Sequence, residues 1–157
     1  MATEDRYLER LLKSKYCPKG IHNLNISLTE YSALLDKFKE LDPSDGKTAY
    51  HISVQALSWQ DWFTSVLSSL GCISKVLDSD KNARIANICQ TCGERSITRA
   101  EKIAMMDPEV IELKKQKAIT DAIYGLIEDK HSILDKIFYL CRGIAFEEKS
   151  ENPSTAA

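Results

Sequence analysis

"DPEVIELKKQKAITDAIYGLIEDKHSILDKIFYLCRGIAF", Asp107 to Phe146, is the stretch that decides the fold. It opens as a helix opens. Asp107 suits the N-cap, and Pro108 suits the first helical position, where a missing N–H costs nothing. From there to Phe146 no proline occurs, and apolar residues recur at heptad steps. Ile119, Leu126, Ile133 and Leu140 stand seven apart, and Ile123, Lys130, Ile137 and Ile144 follow each of them by four. A seam of this kind, with one lysine in it, is what a long helix needs in order to pack along another helix. Ala122, Ile127, Leu134, Phe138 and Cys141 widen the apolar face beyond a two-stranded seam. A helix of about 40 residues rises roughly 60 Å. One small chain does not hide such a rod alone, so the expectation is a second long helix, another subunit, or both. Lys130 either snorkels out of the seam or sets its register or subunit number.

Working upstream, the partner rod is visible. From about Thr48, Trp59, Trp62, Phe63, Val66, Leu67, Leu70, Ile73, Val76 and Leu77 make one wide apolar stripe. Ala83, Ile85, Ala86, Ile88 and Cys89 extend it if "DSDKN" does not interrupt, and Gly93 in "TCGERS" is the expected terminator. Between the rods, Thr98 and Glu101 have the spacing of a capping box, so "TRAEKIAMM" starts a short hinge helix. Ahead of the rods, Leu8, Leu11 and Leu12 share a helical face before "CPKG" breaks it. Ser27 and Glu30 then pair as a second capping box for a helix carrying Tyr31, Leu34, Leu35, Phe38 and Leu41, which Asp42-Pro43 ends. The expected fold is all-α: long antiparallel helices, a short hinge helix and an N-terminal helical extension, assembled as an oligomer. The expected divisions are residues 1–47, residues 48–146, and a disordered polar tail over 147–157.

The 157 residues, 43% of them hydrophobic, suit one domain with a core. No apolar run approaches the roughly 18 residues that span a bilayer. The charged opening "MATEDRYLER" lacks the apolar core of a secretion signal, so five reduced cysteines in a cytoplasm are the expectation. The net charge of −2 hides an uneven layout. Residues 81–117 hold eight basic against five acidic side chains, whereas residues 1–48 balance and residues 49–80 and 118–157 are net acidic. A local positive excess steers anionic partners. A chain with a pI near 5.9 lacks the strongly basic signature of a duplex-DNA reader.

Chemistry is sparse. Neither a Gly-rich phosphate loop, a nucleophile elbow nor an HExxH motif occurs, and His22, His51 and His131 have no obvious catalytic partners in sequence. The expectation is no enzyme, no catalytic residue and no cofactor. Cys89 and Cys92 form a CxxC; zinc needs a second pair, and Cys17 with His22 is the one available, against the plainer reading of small side chains near a helix end. Trp59, Trp62 and Phe63 stack on unpaired bases or, at their helical spacing, pack in a core. Lys81, Arg84, Arg95, Arg99, Lys102, Lys114, Lys115 and Lys117 form either an anion-binding face or a solvated one paired with Glu94, Glu101, Glu109 and Glu112.

One resemblance bears on the choice. A tryptophan-bearing long helix (Trp59) is followed by "NARI" with Ala83 and Arg84, by "RAEK" at Arg99 to Lys102, by "DPEVI" at Asp107 to Ile111, and by a late "CRGIA" at Cys141 to Ala145. This ordered set resembles the phage recombination-mediator family, the UvsY-like proteins, over about residues 50–145. The resemblance implies a helical protein that assembles into rings, binds single-stranded DNA, and helps load a recombinase in place of a single-strand-binding protein. It implies a DNA-contacting position for Arg84. The family's preceding basic residue is Asn82 here, and its following aromatics are absent. The expected nucleic-acid-binding set is therefore Lys81, Arg84, Arg95, Arg99 and Lys102. The expected oligomer interface is Ile119, Ile123, Leu126, Ile133, Ile137, Leu140 and Ile144. The competing expectation is a helical adaptor or viral inhibitor that binds a protein and no nucleic acid.

Overall fold

The computed structural model describes residues 3–24, 26 and 28–151. The chain is all-α, with no strand among the described residues. Its helices are α1 (Thr3–Leu12), α2 (Lys19–His22), α3 (Thr29–Lys39), α4 (Gly46–Thr91), α5 (Ile97–Met105) and α6 (Pro108–Glu151). None of them is long and apolar enough to cross a membrane.

Local chemistry explains most of the boundaries. Asp107 Oδ1 accepts the backbone N–H groups of Glu109 at 3.0 Å and Val110 at 3.2 Å, so Asp107 is the N-cap of α6 and Pro108 its first residue. α6 then continues unbroken past Phe146 to Glu151, so the polar tail expected from residue 147 begins as helix; residues 152–157 lie outside the described residues. The 46-residue α4 runs straight through "DSDKN", where Lys81 reaches back one turn to Asp78. Gly93 ends this run with φ +69°, a left-handed conformation that glycine alone adopts cheaply. The start of α4 carries a signal of its own: Asp45 Oδ1 accepts the Thr48 N–H at 2.9 Å.

Three boundaries differ from expectation. α5 starts at Ile97 with Ser96 as N-cap and no side-chain cap, which puts Thr98 inside the helix and leaves the Thr98–Glu101 box unformed. "CPKG" does more than break a helix: Pro18 caps the single turn α2, which buries Ile21. Ser27, expected as a cap, lies outside the described residues; α3 starts at Thr29, with Leu28 as its N-cap, and ends at Lys39. Asp42 turns the chain beyond it by accepting the Ser44 N–H at 2.9 Å and its hydroxyl at 2.8 Å.

Contacts group the chain into two units along other lines than residues 1–47 and 48–146. Among the described residues, one unit joins those of 26–66 with 127–151, and the other joins 3–24 with 67–126. In the first unit α4 and α6 are antiparallel: Gln60 donates to Asp135, and Thr64 Oγ1 lies 3.3 Å from His131 Nε2. α3 lies on this pair. The Tyr31 ring meets Phe63 edge-on at 5.5 Å and Trp59 at 6.1 Å. Phe63 is fully buried and both tryptophans are partly buried, so these aromatics are core residues. In the second unit Ser74 donates to Asp121 at 2.7 Å, and Lys117 bonds both, to Asp121 at 2.7 Å and to Ser74 at 3.2 Å.

The buried residues of the rods define the packing phase. On α4 the buried side chains are Ala49, Ile52, Ser53, Ala56, Gln60, Phe63, Val66, Leu70 and Leu77. On α6 the buried side chains are Val110 in the first turn and then Thr120, Ile123, Ile127, Lys130, Leu134, Ile137 and Cys141, these seven alternating by three and four. The heptad spacing was therefore right and half of its phase was not. Ile123, Lys130 and Ile137 face inward, but their partners are Thr120, Ile127, Leu134 and Cys141. Ile133 and Leu140 point outward, at 39% and 58% exposed. Lys130 is only 5% exposed, with its ammonium 5.2 Å from the centre of the Tyr31 ring, where the ring face offsets part of the cost of burying a cation.

Candidate nucleic-acid interface

The five basic residues singled out in the sequence divide into two groups. Lys81 and Arg84 sit one turn apart on α4, and both are occupied. Lys81 is paired to Asp78. Arg84 is held by two carboxylates. Its Nη2 donates to Asp107 Oδ2 at 3.1 Å, its Nε donates to Asp107 Oδ1 at 3.3 Å, and the same Nε lies 3.1 Å from Glu109 Oε2.

Asp107 thus serves two functions. One of its oxygens caps α6 while the carboxylate as a whole grips α4 through Arg84. The Arg84 hydrogen bond is the largest cause holding the Asp107 carboxyl below its ordinary value, and the two capping N–H groups add to it. Reciprocally, donating to Asp107 raises the Arg84 guanidinium. A cation near a helix N-terminus opposes the macrodipole, and Asp107 with Glu109 supplies the compensating charge. An arginine tied in this way acts first as a clamp. Its side chain keeps 37% of its surface exposed, so a phosphate would meet the remaining N–H groups beside two carboxylates that repel it.

Arg95, Arg99 and Lys102 form the second group, and all three are exposed. Arg95 lies in the link after Gly93. Arg99 and Lys102 are three apart on α5 and so share one face. Apolar side chains stand among them: Ile97 is 77% exposed and Met106 78%, with Ile103 and Met105 about half exposed. These four were not among the expected site residues. Their signal in the sequence is "ITRAEKIAMM", where apolar residues outnumber what a nine-residue helix buries; only Ala100 and Ala104 of α5 are buried.

The remaining lysines of residues 81–117 are tethered. Lys114 donates to the Met105 sulfur, and Lys115 donates to the Tyr16 hydroxyl at 3.1 Å with its ammonium 4.7 Å from that ring. The Lys115 hydrogen bond, followed by that of Lys15, lowers the Tyr16 phenol from its ordinary value. Lys117 is raised by its bond to Asp121. For Asp121 itself burial acts upward, and the bonds from Lys117 and Ser74 outweigh it, so the carboxyl ends below its usual value.

The expected oligomer interface also divides. Ile123 and Ile137 are buried within the chain, so neither is available to a second subunit. Ile133 and Leu140 face solvent, and Ile119, Leu126 and Ile144 are partly covered. Cys17, His22, Cys89 and Cys92 do not gather. Cys17 is buried, Cys92 Sγ points to the Cys89 carbonyl, and among the described residues no cluster of three or more His, Cys, Asp or Glu is placed to hold a metal ion. Comparison of the chain with protein-family models, with curated proteins and with solved structures finds no match.

Proposed function

We infer that this chain is an oligomeric, non-enzymatic accessory protein of phage recombination that binds single-stranded DNA and helps a recombinase replace a single-strand-binding protein. The observation that carries the reading is the exposure of Arg95, Arg99 and Lys102 within the one positive segment of an acidic chain. The all-α architecture and the ordered motifs of the UvsY-like resemblance support it. Arg84, the position implied by the resemblance, acts here by fixing the start of α6. Arg95, Arg99 and Lys102 make the first phosphate contacts, and Lys81 and Arg84 contribute once their carboxylates give way. A few contacts per protomer bind weakly. Repetition around an assembly raises the overall affinity without a strongly basic monomer. Ile133 and Leu140, with the partly covered Ile119, Leu126 and Ile144, are the seam residues left for contacts between subunits.

The test is the double charge reversal Arg99→Glu with Lys102→Glu. Affinity for a fluorescent single-stranded oligonucleotide at low salt is expected to fall by at least about tenfold with helicity unchanged. Unaltered affinity removes these residues from the interface. A second reading has its own support in the exposed Ile97 and Met106: a helical protein-interaction module whose charges serve solubility. It predicts no oligonucleotide binding at any salt.

A further inference from the structure

Among the described residues of the unit 26–66 and 127–151, α3 covers one flank of the α4–α6 pair and the other flank is open. Tyr31 of α3 rests on Trp59 and Phe63. Leu57 is two residues from Trp59, hence about 200° round the helix and on the opposite side. There a groove of about 270 Å³ opens. Tyr50, Val54 and Leu57 line it from α4, at steps of four and three. Phe138, Arg142 and Phe146 line it from α6, each a turn further on. Tyr50, Val54, Leu57 and Phe146 are each about half exposed and together form an apolar patch.

Arg142 is the single charge among the lining residues. Its guanidinium carbon stands 5.9 Å from the Phe138 ring centre and 5.4 Å from that of Phe146, held between two aromatic faces inside the groove. We propose that this groove binds an amphipathic helix of a partner protein, one that sets apolar anchors a turn apart between the two rows and places a carboxylate on Arg142. The geometry favours a helix because both walls are helical rows, and the row from Tyr50 to Leu57 extends about 10 Å, two turns of an occupant. The charge favours an acidic one. Covering Arg142 with an apolar or basic helix desolvates a guanidinium that the two rings compensate only in part, whereas a carboxylate forms a charge-assisted, bidentate pair. The groove shares no residue with Arg95, Arg99 and Lys102, so the proposal stands apart from DNA binding.

The experiment pans a displayed library of amphipathic helices of about 18 residues, randomised beside the apolar anchors, against the full chain. Selected peptides are expected to carry Asp or Glu one turn from an anchor. Replacing that acid by lysine is expected to weaken binding by on the order of tenfold, and Arg142→Glu to reverse the preference. Leu57→Asp, at a half-exposed site, is expected to abolish binding with the far-ultraviolet spectrum and oligonucleotide affinity unchanged. A library that enriches nothing dependent on Leu57 overturns the proposal. So does selection indifferent to the sign of residue 142. If Leu57→Asp instead dissociates an assembly of the chain, a second copy occupies the groove and the proposal fails.

Discussion

Replacing Leu134 and Ile133 in turn by alanine separates the inward from the outward face of α6 at adjacent positions. Leu134 is completely buried, in the row Ile127, Leu134, Cys141. Truncating a sealed leucine removes its transfer free energy and leaves a cavity, at a cost of about 2–5 kcal/mol. For a chain of this size each kcal/mol moves the midpoint by about 2–4 °C, so Leu134→Ala is expected to lower it by roughly 4–20 °C. Ile133 keeps 39% of its surface in water. Its truncation is expected to cost below about 1 kcal/mol, and the better helix propensity of alanine returns a few tenths of that. Thermal unfolding followed by circular dichroism, at dilute protein, reads both. Any further loss for Ile133→Ala is expected only as concentration rises, because the outward face then meets another subunit. A loss at Ile133 that equals or exceeds the loss at Leu134 in dilute protein would refute the assigned phase.

Other outcomes follow from single contacts. Asp107→Asn keeps a capping side chain but removes the charge that holds Arg84. The Asp107 carboxyl is depressed in the folded chain, so its contribution is present above the ordinary aspartate pKa of about 3.9 and is lost as pH falls through the lower folded value. The wild-type chain is therefore expected to melt above Asp107→Asn at neutral pH, with the gap closing below about pH 4; a gap constant with pH contradicts the clamp. Gly93→Ala meets nothing within 4 Å, so its cost is conformational alone, about 1–2 kcal/mol from the left-handed backbone. Gly93→Asn is expected to cost less, and equal midpoints for wild type and Gly93→Ala would remove the need for glycine at that turn.

Much of this fold was legible because its strongest signals are local. Asp107-Pro108 and Gly93 have little alternative use, and the structure places both as helix punctuation. The seam was harder. The apolar stripe of α6 is broad enough that the rows through Ile133 and through Leu134 both keep heptad spacing. Hydrophobicity favours the wrong one, because the buried row includes Thr120 and Cys141 while the outward row is all isoleucine and leucine. Only the facing helix decides. The Thr98–Glu101 capping box failed for a similar reason: its spacing is right, but after the turn at Gly93 the helix takes Ser96 as its N-cap, two residues earlier. In the basic segment composition showed the excess of charge, but not which cations are spent on structure. Arg84 finds its carboxylates 23 and 25 positions away, a pairing that no local pattern encodes.

The most direct measurement of the central functional claim is a salt titration of single-stranded DNA binding by the intact chain, with its mass followed by light scattering. Binding is expected at low salt by an assembly larger than one chain, with log affinity falling by about 0.7 per phosphate contact for each tenfold rise in salt, hence by about 2 or more for three contacts per protomer. A monomer that binds no oligonucleotide at low salt would contradict it.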